Sequence, residues 1–87
     1  MNTFHLIVSS PEGNQFEGDV IKLDVRGSEG ELAIMAGHIP FVTSLVEAPV
    51  IIHQEDDTQI RATVTGGLLT VGSDVVTLIS GSFQIEK

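Results

Sequence analysis

The sequence predicts an all-β fold, an antiparallel β-sandwich of about eight to ten short strands in one domain. Three observations carry this expectation. Short runs of apolar and β-branched residues alternate with polar ones at a period of two. Glycine, proline, asparagine and aspartate punctuate these runs at short intervals. No segment combines helical periodicity with capping residues.

Taken in order, Phe4 to Val8 is a first apolar run, closed by the turn-rich Ser9-Ser10-Pro11-Glu12-Gly13-Asn14. From Val20 to Arg26, Ile21, Leu23 and Val25 point one way while Val20, Lys22, Asp24 and Arg26 point the other, as in a strand with one buried face. Glu31 to Met35 and Phe41 to Val46 are two further short runs. Val50-Ile51-Ile52-His53 is β-branched and suits a pleated surface. An acidic tip, Gln54 to Thr58, separates it from Ile60 to Thr65, where Ile60, Ala62 and Val64 alternate with Arg61, Thr63 and Thr65. Gly66-Gly67 marks a turn or bulge. Leu68 to Val71 and Val75 to Ile79 flank Gly72-Ser73-Asp74, a short hairpin connection. Phe83-Gln84-Ile85 is a last edge strand. There is no internal repeat, low-complexity segment or linker.

Composition narrows the function. Eighty-seven residues make at most one domain, and without cysteine no disulfide staples it. At 41% hydrophobic residues the chain still forms a core. Twelve acids against four bases give a net charge of −8, which repels phosphate backbones and anionic lipid. Nucleic-acid binding and direct membrane adsorption are therefore poor readings. No apolar run approaches the roughly 20 residues of a bilayer span. The start, Met1 to His5, lacks the basic and apolar regions of a signal peptide and is not read as one.

The stretch from Gly27 to Phe41 is the most informative. Gly27, Gly30, Gly37 and Pro40 constrain a loop-rich segment that holds Glu29, Glu31 and His38. Glu29 and Glu31 are two apart, so in an extended segment they share a face. Such carboxylates can share a proton or hold a cation, but no calcium-loop pattern and no partner base accompanies them. A binding contact on a rigid loop suits them better than catalysis. His38 is either a hydrogen-bonding contact at a docking surface or a tie between the loop and nearby backbone. His5 and His53 read as ordinary strand residues, and no ligand spacing joins the three histidines in a zinc site.

Other chemistry finds little support. No serine sits in a Gly-x-Ser-x-Gly elbow, and no Gly-Lys-Ser/Thr or Gly-x-Gly-x-x-Gly cradles a phosphate. No cofactor is expected. A lipoyl or biotinyl carrier needs a lysine at a hairpin tip, whereas Lys22 lies in a strand pattern and Lys87 is terminal. Residues alone thus predict an acidic β domain that binds another protein.

A resemblance makes this concrete. Phe4-His5-Leu6-Ile7-Val8, Ser9-Ser10-Pro11-Glu12, Phe16-Glu17-Gly18, the run Gly27 to Leu32, Gly37-His38 with Pro40, Thr43 and Leu45, and Gly66-Gly67-Leu68-Leu69 follow one another over nearly the whole chain. In this it resembles the N-terminal domain of the epsilon subunit of F-type ATP synthases, called delta in mitochondria. The resemblance implies a β-sandwich in the central stalk that performs no chemistry itself. It would dock on the gamma subunit and the c-ring at the cytoplasmic side of a bacterial membrane and help couple proton flow to ATP synthesis. Glu29, Gly30, Glu31 and His38 match the loops facing the c-ring; Ser10 and Thr43 match gamma-facing positions; Gly66-Gly67 matches a Gly-Gly-apolar hairpin. Two departures stand out. Val46-Glu47-Ala48-Pro49 replaces the family's Pro-Gly turn, and the sequence stops at Lys87, before the C-terminal helical hairpin of typical members. The braking of ATP hydrolysis and the regulatory ATP site of that hairpin are not carried over.

Three functions of different kinds follow: a rotary-stalk coupling subunit, a free-standing binding module, or a small enzyme using Glu29, Glu31 and His38. The four phenylalanines with no tryptophan or tyrosine argue against a sugar-binding platform.

Overall fold

Strict alternation gives most strands one buried side. In the computed structural model, which describes residues 2–86, Phe4, Leu6 and Val8 are buried on β1 (Phe4–Ser10), Leu23 and Val25 on β3 (Lys22–Gly27), and Val76 and Leu78 on β7 (Val75–Ser80). The other strands are β2 (Gly13–Val20), β4 (Gly30–Met35), β5 (Phe41–His53), β6 (Gln59–Val71) and β8 (Phe83–Ile85). Their order in the sheet is β2-β1-β7-β6-β5-β3-β4, with β8 also paired to β6.

This sheet doubles over on itself. Every strand contributes to one core cluster, and Leu6, Val8, Val20, Leu23, Ile52, Ala62, Leu69 and Leu78 are fully shielded from water. A flat sheet of seven strands, about 4.8 Å apart, would be far too wide to bury one face without a second layer. The cover comes from the sheet itself, through β5 and β6.

Both long strands belong to both layers. Phe41–Leu45 pairs with Gly67–Val71, which pairs with β7 and through it leads on to β1 and β2; Glu47–His53 pairs with Gln59–Thr65, which carries β8, and on its other side with β3, which leads on to β4. Along β6 the buried residues are Ala62 and Val64, then Leu69 and Val71; along β5 they are Leu45, then Ala48, Val50 and Ile52. The inward phase therefore slips by one residue on both strands at the same rungs, between Leu45↔Gly67 and Ala48↔Val64. Residues opposite one another share a face, so the two strands must slip together. A bend of this kind turns a strand from one layer into the next. Gly66 and Gly67, at φ of 110° and 147°, supply the backbone freedom.

Several expectations change here. Among the described residues there are eight strands, within the expected number, but two of them run for 13 residues rather than being short. Gly66-Gly67 is a mid-strand corner rather than a hairpin turn, and Val46-Glu47-Ala48-Pro49 lies inside β5 rather than in a turn. The sheet is not wholly antiparallel: β1 and β7 pair in parallel, from His5↔Val75 to Ser9↔Ile79. β2 carries no strand signal in the sequence because it is an edge strand in which only Val20 is buried. The alternation from Val20 to Arg26 breaks at Ile21, between β2 and β3. Of the two lysines weighed above, Lys87 lies outside the described residues.

Candidate functional site

The outer face of the first layer carries a cluster of exposed apolar side chains, the first candidate for a binding surface. Residues in the outward phase align in rungs across four strands: Val42, Thr70, Thr77 and Ile7 in one, Ser44, Leu68, Ile79 and Ser9 in the next. Val42, Leu68 and Ile79 are 61%, 42% and 49% exposed, which is unusual for apolar side chains that share a face. Ser10, Pro11, Gly67, Leu68, Ile79 and Gly81 form an open apolar groove at the corner end of this face. The groove exists because β7 approaches β6 very closely there: a Cβ on Gly67 would lie 1.9 Å from the Ile79 carbonyl oxygen.

The β2 side of the face is charged. His5, outward on β1, bonds Asp19 Oδ1 through Nδ1 and Glu17 Oε2 through Nε2, each at 3.0 Å. The bonds to Glu17 and then Asp19 hold the imidazole pKa above its ordinary value. Read from the sequence alone, His5 is an ordinary strand residue. Only the β1–β2 pairing, with His5 opposite Asp19 and Ile7 opposite Glu17, brings the three side chains together.

The residues singled out from the sequence fall in separate places. Ser28-Glu29 is the two-residue turn between β3 and β4, closed by the Gly27↔Gly30 pair. Glu31 opens β4 opposite Arg26, whose Nη2 lies 3.7 Å from Glu31 Oε1. The turn is tied to β5 by the Ser28 amide, which donates to the Ser44 carbonyl at 3.1 Å. His38 lies in the β4–β5 connection with its ring against Phe41, centroids 5.2 Å apart. β4 separates the two sites, and at about 3.4 Å per residue its ends lie roughly 17 Å apart. Glu29, Glu31 and His38 therefore do not converge on one reacting atom, which removes the geometric basis of the small-enzyme reading.

Ser10 and Thr43 are also apart. Ser10 borders the apolar groove, and its hydroxyl accepts from the Gln15 side chain at 3.0 Å and from the Glu12 amide at 3.2 Å. Thr43 sits opposite Leu69 on the inward phase, half-buried, beside Gly27. It belongs spatially with the β3–β4 turn. The third histidine, His53, bonds Asp24 Oδ2 at 2.7 Å on the second layer, so the three histidines have three different partners.

Comparison with known proteins agrees with this architecture. The sequence model described as ATP synthase, delta/epsilon chain, beta-sandwich domain matches residues 3–85. The chain is 36% identical over 85 residues to the ATP synthase epsilon chain of an Exiguobacterium species and 34% identical to that of Brevibacillus brevis. Each match covers 98% of this chain but only 62% and 64% of those relatives, so the chain spans less than two thirds of their length. Among solved structures, a chain of the Euglena gracilis mitochondrial ATP synthase superposes with a TM-score of 0.90 at 20% identity, covering 95% of this chain and 53% of that one. A chain from the central stalk and c-ring assembly of the Tetrahymena thermophila mitochondrial enzyme gives 0.79 at 15% identity, covering 94% and 66%. At these identities the two structures speak for the fold. The sequence match over nearly the whole chain goes further, and on it this chain belongs to the beta-sandwich domain family of ATP synthase delta/epsilon chains.

Proposed function

We propose that this chain is the β-sandwich of an epsilon-type rotor subunit. In this reading it docks on the gamma subunit and the c-ring of an F-type ATP synthase and helps couple proton translocation to ATP synthesis. It catalyses nothing itself and is held peripherally at the cytoplasmic side of a bacterial membrane through the complex. The match to the family over residues 3–85 carries the proposal. A doubled sheet with an exposed apolar face supports it, because such a face suits a partner rather than solvent.

The gamma subunit is assigned to the groove bordered by Ser10, with Leu68 and Ile79 as its apolar centre. Thr43, which the resemblance makes gamma-facing, lies half-buried beside Gly27 and does not line this groove, so it is not assigned to it. Glu29, Gly30, Glu31 and His38 are assigned to the c-ring. A negative turn opposite basic loops fixes register and speeds docking.

The test is size-exclusion chromatography of this chain with the gamma subunit of the same genome. One-to-one co-elution is expected, and Leu68→Asp with Ile79→Asp should abolish it while the circular dichroism spectrum stays unchanged. Separate elution of two folded proteins would overturn the proposal and leave a β-sandwich binding module of another kind.

A further inference from the structure

β4 stands apart from the other two edges of the sheet. β2 is an edge broken by a bulge at Val8/Ser9 and rich in glycine and acids, and β8 is only three residues long. These are the usual devices that keep an edge from pairing. β4, Gly30-Glu31-Leu32-Ala33-Ile34-Met35, has six residues in unbroken register with β3 and contains neither proline nor lysine. Its only protection is the charge at its beginning, Glu29 and Glu31.

The hydrogen-bond phase shows which groups β4 offers. A two-residue turn closed by Gly27↔Gly30 makes that pair hydrogen-bonded, so Gly30, Leu32 and Ile34 face β3. The Ser28 amide bonded to Ser44 agrees, since it turns the even residues at this end of β3 toward β5. The amides and carbonyls of Glu31, Ala33 and Met35 therefore point away from the sheet. Beyond them Met35, 53% exposed, lines an open and mainly apolar hollow with Asn2, Ile21, Lys22 and Ala36.

We infer that β4 is a strand-addition site for an extended, basic segment of a partner protein. The segment pairs with the outward groups of Glu31, Ala33 and Met35. It sets a lysine or arginine near Glu29 and Glu31, and an apolar side chain in the hollow beside Met35. A second copy of this chain is a poor occupant, because each copy carries −8 and an antiparallel pair centred on Ala33 would set Glu31 against exposed Met35. The site shares Glu29 and Glu31 with the c-ring assignment above, but it rests on the geometry of the β4 edge, and the peptide experiment tests it without the assembled complex.

The experiment uses the whole chain, labelled with nitrogen-15, and three synthetic ten-residue peptides of alternating valine and threonine. The first ends in two lysines, the second in two glutamates, and the third is the lysine peptide methylated on every backbone amide nitrogen, so that neither of its edges can donate. The lysine peptide is expected to slow hydrogen exchange at the Glu31, Ala33 and Met35 amides. The glutamate peptide should bind about fivefold more weakly, the ratio an exposed ion pair supports. The methylated peptide should protect none of the three amides. Ala33→Pro removes one outward donor and should weaken the lysine peptide while the spectrum of β5 and β6 stays unchanged. Protection on β2 instead of β4, equal binding by the methylated peptide, or protection that rises with chain concentration in the absence of peptide would each overturn the inference.

Discussion

At the scale of single residues, two positions turn local chemistry into measurable consequences. Gly67 combines a φ of 147° with the close approach of the Ile79 carbonyl. A methyl group there meets backbone that cannot yield cheaply. Gly67→Ala should cost about 3 kcal/mol or more, combining a strained backbone with an overpacked contact. Urea unfolding should show the loss. Gly13→Ala has positive φ but open space around it, and should cost less. His5 offers a second test. Its folded pKa is raised above the ordinary 6.5 by Glu17 and Asp19. A raised pKa means that the protonated form is favoured by folding. The stabilisation is therefore fully present below about pH 6.5 and fades as pH rises through the folded value. His5→Ala should flatten this part of the pH–stability profile, and a nuclear magnetic resonance titration should give an imidazole pKa above 6.5. An imidazole that titrates at or below 6.5 would contradict the bridging geometry.

At the scale of elements, alternation separates residues that hold the fold from those that face a partner. Leu68 and Leu69 are adjacent on β6, yet Leu69 is fully buried and Leu68 is 42% exposed. Leu69→Ala should cost about 2–5 kcal/mol, through lost burial and the cavity left behind. Leu68→Ala should change stability little, within about 0.5–1 kcal/mol, and act on gamma binding instead. Comparing the two in thermal unfolding and in chromatography with gamma separates packing from docking. The β3–β4 turn gives a parallel case. Glu31 is 77% exposed at its side chain, and its long contact to Arg26 contributes little. Glu31→Lys should leave folding intact and weaken attachment to the c-ring, read as reduced proton-coupled ATP synthesis in the assembled complex. Unchanged coupling would remove the β3–β4 turn from the c-ring interface.

At the scale of the whole molecule, charge is the dominant feature. A net charge of −8 on so small a domain repels itself, and among the described residues its bases, Lys22, Arg26 and Arg61, all lie on the outward phase of the second layer. Each is matched to a nearby acid, Lys22 to Asp24, Arg26 to Glu31 and Arg61 to Glu86. The first layer and the turns are left strongly negative. Added sodium chloride should raise the melting temperature by screening this repulsion, since the Debye length falls from about 10 Å at 0.1 M to about 3 Å at 1 M. The same salt should slow association with a basic partner. A melting temperature insensitive to salt would mean that the local pairs already neutralise the fold.

The sequence by itself determined the fold class, most strands and the acidic turn. These rest on short-range facts: a period of two, β-branched runs, and glycine or proline between them. Leu6, Val8, Leu23, Val25, Val76 and Leu78 can be assigned to the core from alternation alone. The motifs from Phe4 to Leu69 also made the family legible, because a glycine-rich turn followed by Gly37-His38 and Pro40 is a pattern that chance rarely repeats. Beyond the β6–β7 hairpin, which Gly72-Ser73-Asp74 marks in the sequence, only the tertiary structure decided which strands are neighbours. The parallel β1–β7 pair, the His5–Glu17–Asp19 cluster and the apolar face of Val42, Leu68 and Ile79 all join residues far apart in the chain. The corner at Gly66-Gly67 looks like a turn in sequence because glycine serves both purposes; the partner strand β5, slipping at the same rungs, makes it a bend. Likewise Glu31 and His38 seem to share one loop until β4 extends between them. Alternation records which side of a strand is dry, but the pairing of distant strands is a property of the closed core.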